Sequence, residues 1–190
     1  MLKKYLLPIF TFFIITNSCN RDYVPKPPGY LRIDFPEKKY IIYNTSCPYS
    51  FAYPEYAKIE QDTDFNTEPC WINIDFPQFN GKIHISYKTI NNNINGYIED
   101  SRKFVYKHTI RADAINEKIY SNNENNVHGI LYDIKGNVAS SVQFFMTDST
   151  EHFIRGALYF NVRPNKDSLA PVINFIRKDI VKLIETLEWK

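Results

Sequence analysis

Residues 127–162 read VHGILYDIKGNVASSVQFFMTDSTEHFIRGALYFNV. VHGILYDI (127–134) and VASSVQFFMT (138–147) flank Lys135-Gly136-Asn137, the strand, tight turn, strand pattern of a hairpin. Asp148, Ser149 and Thr150 make a second turn into EHFIRGALYFNV (151–162). In that segment His152, Ile154, Gly156, Leu158, Phe160 and Val162 share one face, and Phe153, Arg155, Ala157 and Tyr159 share the other. A strand with apolar residues on both faces belongs in the middle of a sheet, so 127–162 predicts three consecutive antiparallel strands with the last one central.

The flanking segments agree. In GKIHISYK (81–88), Ile83, Ile85 and Tyr87 alternate with Lys82, His84, Ser86 and Lys88, a half-buried strand with His84 on its polar side. Between Ile94 and His108 the period changes: Ile94, Tyr97, Ile98, Ser101, Phe104, Val105 and His108 fall on one helical stripe. A second helix closes the chain, with Ser168 as its expected N-cap and Pro171 in its first turn. Leu169, Val172, Ile173, Ile176, Ile180, Leu183, Ile184 and Leu187 form its apolar stripe. The order is strands, helix, three antiparallel strands, helix, without a repeated βαβ unit. It predicts an α+β fold, an antiparallel β-sheet with covering helices. This order resembles the PsbP/Mog1 arrangement, a likeness that carries no function. Asn91–Asn95 and Asn122–Asn126 are asparagine-rich and read as loops or a helix cap.

The bulk composition fits one domain. The chain has 190 residues, 14 Tyr and 14 Phe, and rings in that number call for a single aromatic-rich core. The formal net charge is +2, and removing Met1–Ser18 takes Lys3 and Lys4 with it, leaving 21 basic and 21 acidic side chains. A balanced surface has no basic field with which to hold nucleic acid.

The N-terminus reads as an export signal. Lys3 and Lys4 precede an apolar run from Tyr5 to Ile15, which ends in Thr16, Asn17 and Ser18 before Cys19. The run falls short of the ~20 apolar residues needed to span a bilayer. A cysteine directly after the small residue is the acceptor of a lipoprotein's diacylglyceryl group, so residues 1–18 read as a lipoprotein signal peptide and Cys19 as the lipidated N-terminus. The partner it implies is a membrane, gripped through several acyl chains. Residues 19–36 carry Pro25, Pro27, Pro28 and Pro36 and favour extended polyproline conformation. They form either a tether reaching on the order of 50 Å or an arm that packs on the domain through Tyr23, Tyr30, Leu31, Ile33 and Phe35. A single globular domain, 37–190, follows.

Cys47 and Cys70 are the remaining cysteines. In an exported protein such a pair is expected to be a structural disulfide, worth ~3 to 4 kcal/mol in the chain-entropy model. A redox pair favours Cys-x-x-Cys spacing, which this pair lacks. A metal site wants closely spaced histidines, whereas His84, His108, His128 and His152 lie about twenty or more residues apart. The sequence contains no nucleophile elbow, phosphate-binding glycine loop or zinc-protease helix. Asp148, Glu151 and His152 sit around a turn, and Glu99, Asp100 and Arg102 read as a solvated helix face. His108, at the end of the helical stripe, reads as a ligand or base or, more commonly for such a position, as a histidine complementing a helix C-terminus. No catalytic residue, metal ligand or cofactor is nominated; a periplasmic module holding a small ligand on the sheet face and an enzyme of unknown chemistry are the alternative readings.

Four strings carry a resemblance: PKPPGYLRIDFPEKKY (25–40), CPYSFAYPEYA (47–57), PCWINIDFPQFNGKIHISYK (69–88) and EDSRKFVYKHTIRADAI (99–115). Together they resemble the GldD family, gliding motility lipoproteins of the Bacteroidota, from about Asp22 to Trp189. The family's lipidated cysteine falls on Cys19 and its two later cysteines match Cys47 and Cys70. The resemblance implies a non-enzymatic envelope component needed for gliding and for the type IX secretion machinery. It also implies a partner, the CorC-type integral membrane protein GldE. Asp148-Ser149-Thr150 and Asp167-Ser168-Leu169 also look like the short Bacteroidota O-glycosylation motif, beside their plainer reading as a turn and a helix cap.

Overall fold

The computed structural model describes residues 32–63 and 66–190. The signal peptide, Cys19 and the first part of the proline-rich stretch lie outside the described residues. Strands β1 (Tyr40–Asn44), β2 (Tyr49–Pro54), β3 (Lys58–Gln61), β4 (Ile72–Phe76) and β5 (Gly81–Thr89) come first. Helix α1 (Ile94–Tyr106) leads to β6 (Ala112–Asn122), β7 (Val127–Gly136), β8 (Ser140–Thr147) and β9 (His152–Phe160). Helix α2 (Lys166–Glu185) and the two-residue β10 (Glu188–Trp189) end the chain.

A seven-stranded sheet runs in the order β3-β4-β5-β9-β8-β7-β6 and is antiparallel throughout. The expected hairpins are β7–β8 and β8–β9, and β9 is the central strand. The fold is α+β with antiparallel sheets and two helices. A second sheet, β1-β2-β10, forms where Glu188 and Trp189 pair with Ser50 and Tyr49.

The alternation of side chains builds a different core on each face of the large sheet. On one, Ile72, Ile74, Ile83, Ile85, Phe144, Met146, Ile154 and Leu158 meet Val172, Ile176, Ile180, Leu183 and Ile184 of α2, and Tyr49 and Phe51 of β2. Burying each such Ile or Leu stabilises by roughly 1.5–3 kcal/mol. Gly156 is needed here, because a Cβ at that position would stand 2.3 Å from the Phe144 ring. On the other face a smaller cluster of Tyr132, Ile134, Val138, Phe145 and Phe153 packs under Tyr97, Ile98 and Val105 of α1.

Four local readings need correction. The cap of α2 is Asn165, whose side chain accepts from the amides of Asp167 and Ser168, so the helix starts before Ser168. Pro171 therefore lies inside the helix, past the first turn, and costs it one backbone donor. Strand β9 ends at Phe160, and Val162 is exposed in the bend beyond it. Residues 112–122, read as no element, form the long edge strand β6. Its side chains are mostly exposed, so no two-residue apolar period marks it. Among the described residues, no helix is long and apolar enough to cross a membrane.

Candidate functional site

Residues 32–40, at the start of the described chain, are held against α2. Ile33 packs on the main core. The Phe35 ring stacks on Phe175 with centroids 4.4 Å apart, and Phe79 meets Phe175 edge-on at 5.6 Å. Thus the end of the proline-rich stretch lies on the domain as an arm.

Beyond it sits a clasp around one carboxylate. Asp179 on α2 is 1% exposed. Its Oδ1 accepts from Lys38 Nζ at 2.5 Å and from the Tyr40 hydroxyl at 2.8 Å, and its Oδ2 accepts from the Tyr56 hydroxyl at 2.5 Å. Lys38 Nζ also donates to the Phe175 carbonyl at 3.1 Å and lies 3.6 Å from that residue's ring centroid. Burial holds the Lys38 pKa below the usual lysine value, with Asp179 pulling the other way. Burial and then the bond to Asp179 push the Tyr40 and Tyr56 hydroxyls well above the usual phenol range. Both are therefore protonated donors at neutral pH. Four polar groups satisfy one another here, and a buried ion pair of this kind fixes geometry more than it adds stability. The clasp can locate the N-terminal segment on the C-terminal helix.

A second tie lies beside it. Cys47 and Cys70 form a disulfide with Cα atoms 5.5 Å apart, joining the approach to β2 to the approach to β4 and so the small sheet to the large one. The buried Tyr49 hydroxyl donates to the Cys70 carbonyl at 2.7 Å.

The histidines are scattered. His84 on β5 is half-buried, packs edge-on to Tyr159 and lines a cleft with Asp62 and Asp100. His108 follows the end of α1, and burial followed by the nearby Arg155 charge lowers its pKa. His128 contacts Ser121 and Asn126 in the β6–β7 hairpin. His152 lies 2.8 Å from the Tyr87 hydroxyl and stacks on Trp189. Among the described residues, no group of three or more His, Cys, Asp or Glu could hold a metal ion.

The acidic turn is structural. Burial would raise the Asp148 pKa, but the amides of His152, Glu151 and Thr150 and the Thr150 hydroxyl bind its carboxylate and bring it below the usual value. Glu99 and Asp100 are exposed beside Lys103. The clasp escaped sequence reasoning, since Lys38 and Asp179 are 141 residues apart. The one available signal was an Asp on the apolar side of an amphipathic helix, one residue before Ile180.

The family model described as "Gliding motility lipoprotein GldD" matches residues 20–189. No curated protein matches the chain. Among solved structures, the solution structure of cyanobacterial PsbP (CyanoP) from Synechocystis sp. PCC 6803 is similar at 10% identity and a TM-score of 0.48, covering 87% of this chain and 99% of that one. No function is taken from that likeness.

Proposed function

The chain belongs to the gliding motility lipoprotein GldD family, and from that premise we propose a lipid-anchored envelope protein needed for gliding motility. Its further role is the assembly or stability of the type IX secretion machinery. Cys19 carries the lipid, the domain lies in the periplasm, and the partner is a GldE-type integral membrane protein. The match over residues 20–189 carries this reading. The Cys47–Cys70 disulfide supports an oxidising compartment. The clasp supports a mechanical role, because it would hand the position of a membrane anchor to the helix that packs the main core. The work is organisational, with no reaction assigned.

A pull-down tests the anchored partnership. The intact lipoprotein should recover the GldE-type protein from detergent-solubilised membranes, and Cys19→Ala should recover little. Equal recovery by the two forms would defeat the claim that the anchor is required.

A further inference from the structure

The second face of the large sheet is only partly covered. Towards β4 and β5 it carries Asn73, Asp75, Lys82, His84, Ser86 and Lys88, opposite in register to the apolar residues of the main core. Between this polar half and α1 lies a cleft of about 460 Å³, the size of a small-molecule site. Its aromatic walls are Trp71, Tyr97, Phe104 and Phe153.

Arg155, from the middle of the central strand, also lines it. Its guanidinium donates to Gln143 Oε1 at 2.8 Å and lies 4.6 Å from the Phe104 centroid. Among the described residues, Arg155 is in no ion pair. Burial lowers its pKa from the usual guanidinium value. Gln143, 1% exposed, spends its carbonyl on Arg155, while its Nε2 has no hydrogen-bond partner among the described residues. A desolvated cation held only by neutral groups is costly to the fold. Contrast Arg177, which grips Asp133 through two bonds on the opposite face.

The other charges of the cleft narrow the choice of ligand. Lys88 is already engaged by Glu68 and sits over Trp71. Asp62 and Asp100 line the cleft as well, Asp100 exposed and beside Lys103. One uncompensated guanidinium among carboxylates suits a monoanion and disfavours a dianion such as a phosphate monoester. A guanidinium fork matches a carboxylate, and the ring walls match a flat apolar body.

We propose that this cleft binds a small organic carboxylate bearing an aromatic ring, with the carboxylate on Arg155 and the ring against Trp71, Tyr97 and Phe104. Arg155 is the binding residue and Gln143 positions it. The site is independent of the motility reading.

Trp71 emission of the full lipidated chain in phosphatidylcholine vesicles reports occupancy, with N-acetyl-L-phenylalanine as probe and its uncharged amide as control for partition into lipid. The acid should give a saturable change that is absent in Trp71→Phe, and the amide should bind about tenfold more weakly or worse, the loss expected for one charged hydrogen-bonded pair. Arg155→Gln should weaken the acid by a similar factor without lowering the thermal midpoint, because it removes an unpaired desolvated charge. Equal responses to acid and amide, or no saturable response, would overturn the proposal. So would undiminished binding by Arg155→Gln. Should Arg155→Gln fail to fold, Arg155 is a packing residue unless the parent chain still separates acid from amide, a comparison that needs no variant.

Discussion

Along β9, Ile154, Gly156 and Leu158 point to one face of the large sheet, and Phe153, Arg155 and Tyr159 point to the other. On the first face α2 and the small sheet close over a continuous apolar core, and the buried carboxylate of Asp179 has three side-chain donors. On the second, α1 covers a smaller cluster and leaves a cleft lined by Arg155, which among the described residues is in no ion pair, with the buried Gln143 amide beside it. Strands common to both faces thus serve two ends. The sealed face supplies cohesion and the open face bounds a cleft.

That contrast is testable by substitution. Ile180→Ala on the sealed face should cost about 4 kcal/mol, while Ile98→Ala on α1, half-buried, should cost about 1 kcal/mol. Urea unfolding at constant m-value measures both, and equal losses would show that the faces are packed alike. Asp179→Ala should cost about 3 kcal/mol, the low end for a broken buried pair because the Lys38 side chain is 24% exposed. Pairing Asp179→Ala with Lys38→Met should recover part of that loss. A double variant no more stable than Asp179→Ala alone would mean that an unpaired Lys38 is not what makes the single change costly. Replacing Cys47 and Cys70 together by Ser should lower stability by about 3 kcal/mol, since the bridge spans 23 residues of sequence.

The smallest effect concerns alkali. Tyr40, Tyr49 and Tyr56, all on the sealed side, have hydroxyl pKa values raised chiefly by burial, and Tyr132 on the open side is pushed up to about 12. A raised folded value means the unfolded chain loses the proton first. Stability from these groups is therefore full below the ordinary phenol value of 10.0 and falls as pH rises above it. Lys38, held below 10.5 by burial, pulls the other way over the same range, one group against several. Unfolding midpoints between pH 8 and 11 should be level and then decline, and Tyr56→Phe should make the decline shallower. A midpoint that rises above pH 10 would contradict the burial of these hydroxyls.

What the sequence disclosed followed its periodicity. The alternation in β5, the hairpins from Val127 to Phe160 and the apolar stripe of α2 are each driven by burial of one face, so pattern alone located them. Strand β6 was hidden because it is a mostly exposed edge with Lys118 and Glu117 in its middle. The small sheet was hidden because its third strand is two residues long and pairs with Tyr49, far back in the chain. Lys38, Tyr40, Tyr56 and Asp179 come from separate elements, and only the packed fold brings them together. Arg155 was assigned its face from alternation, but that it joins no ion pair among the described residues emerges only when the neighbouring strands are in place.

The measurement that bears most directly on the proposed role is the amount of a type IX cargo protein in the medium of a strain lacking this gene. Parent, complemented and Cys19→Ala strains are compared alongside. The expected result is loss of cargo from the medium in the deletion and in Cys19→Ala, with restoration by the unaltered gene. Normal secretion together with failed spreading would contradict the export role and place the protein with the motor or its coupling.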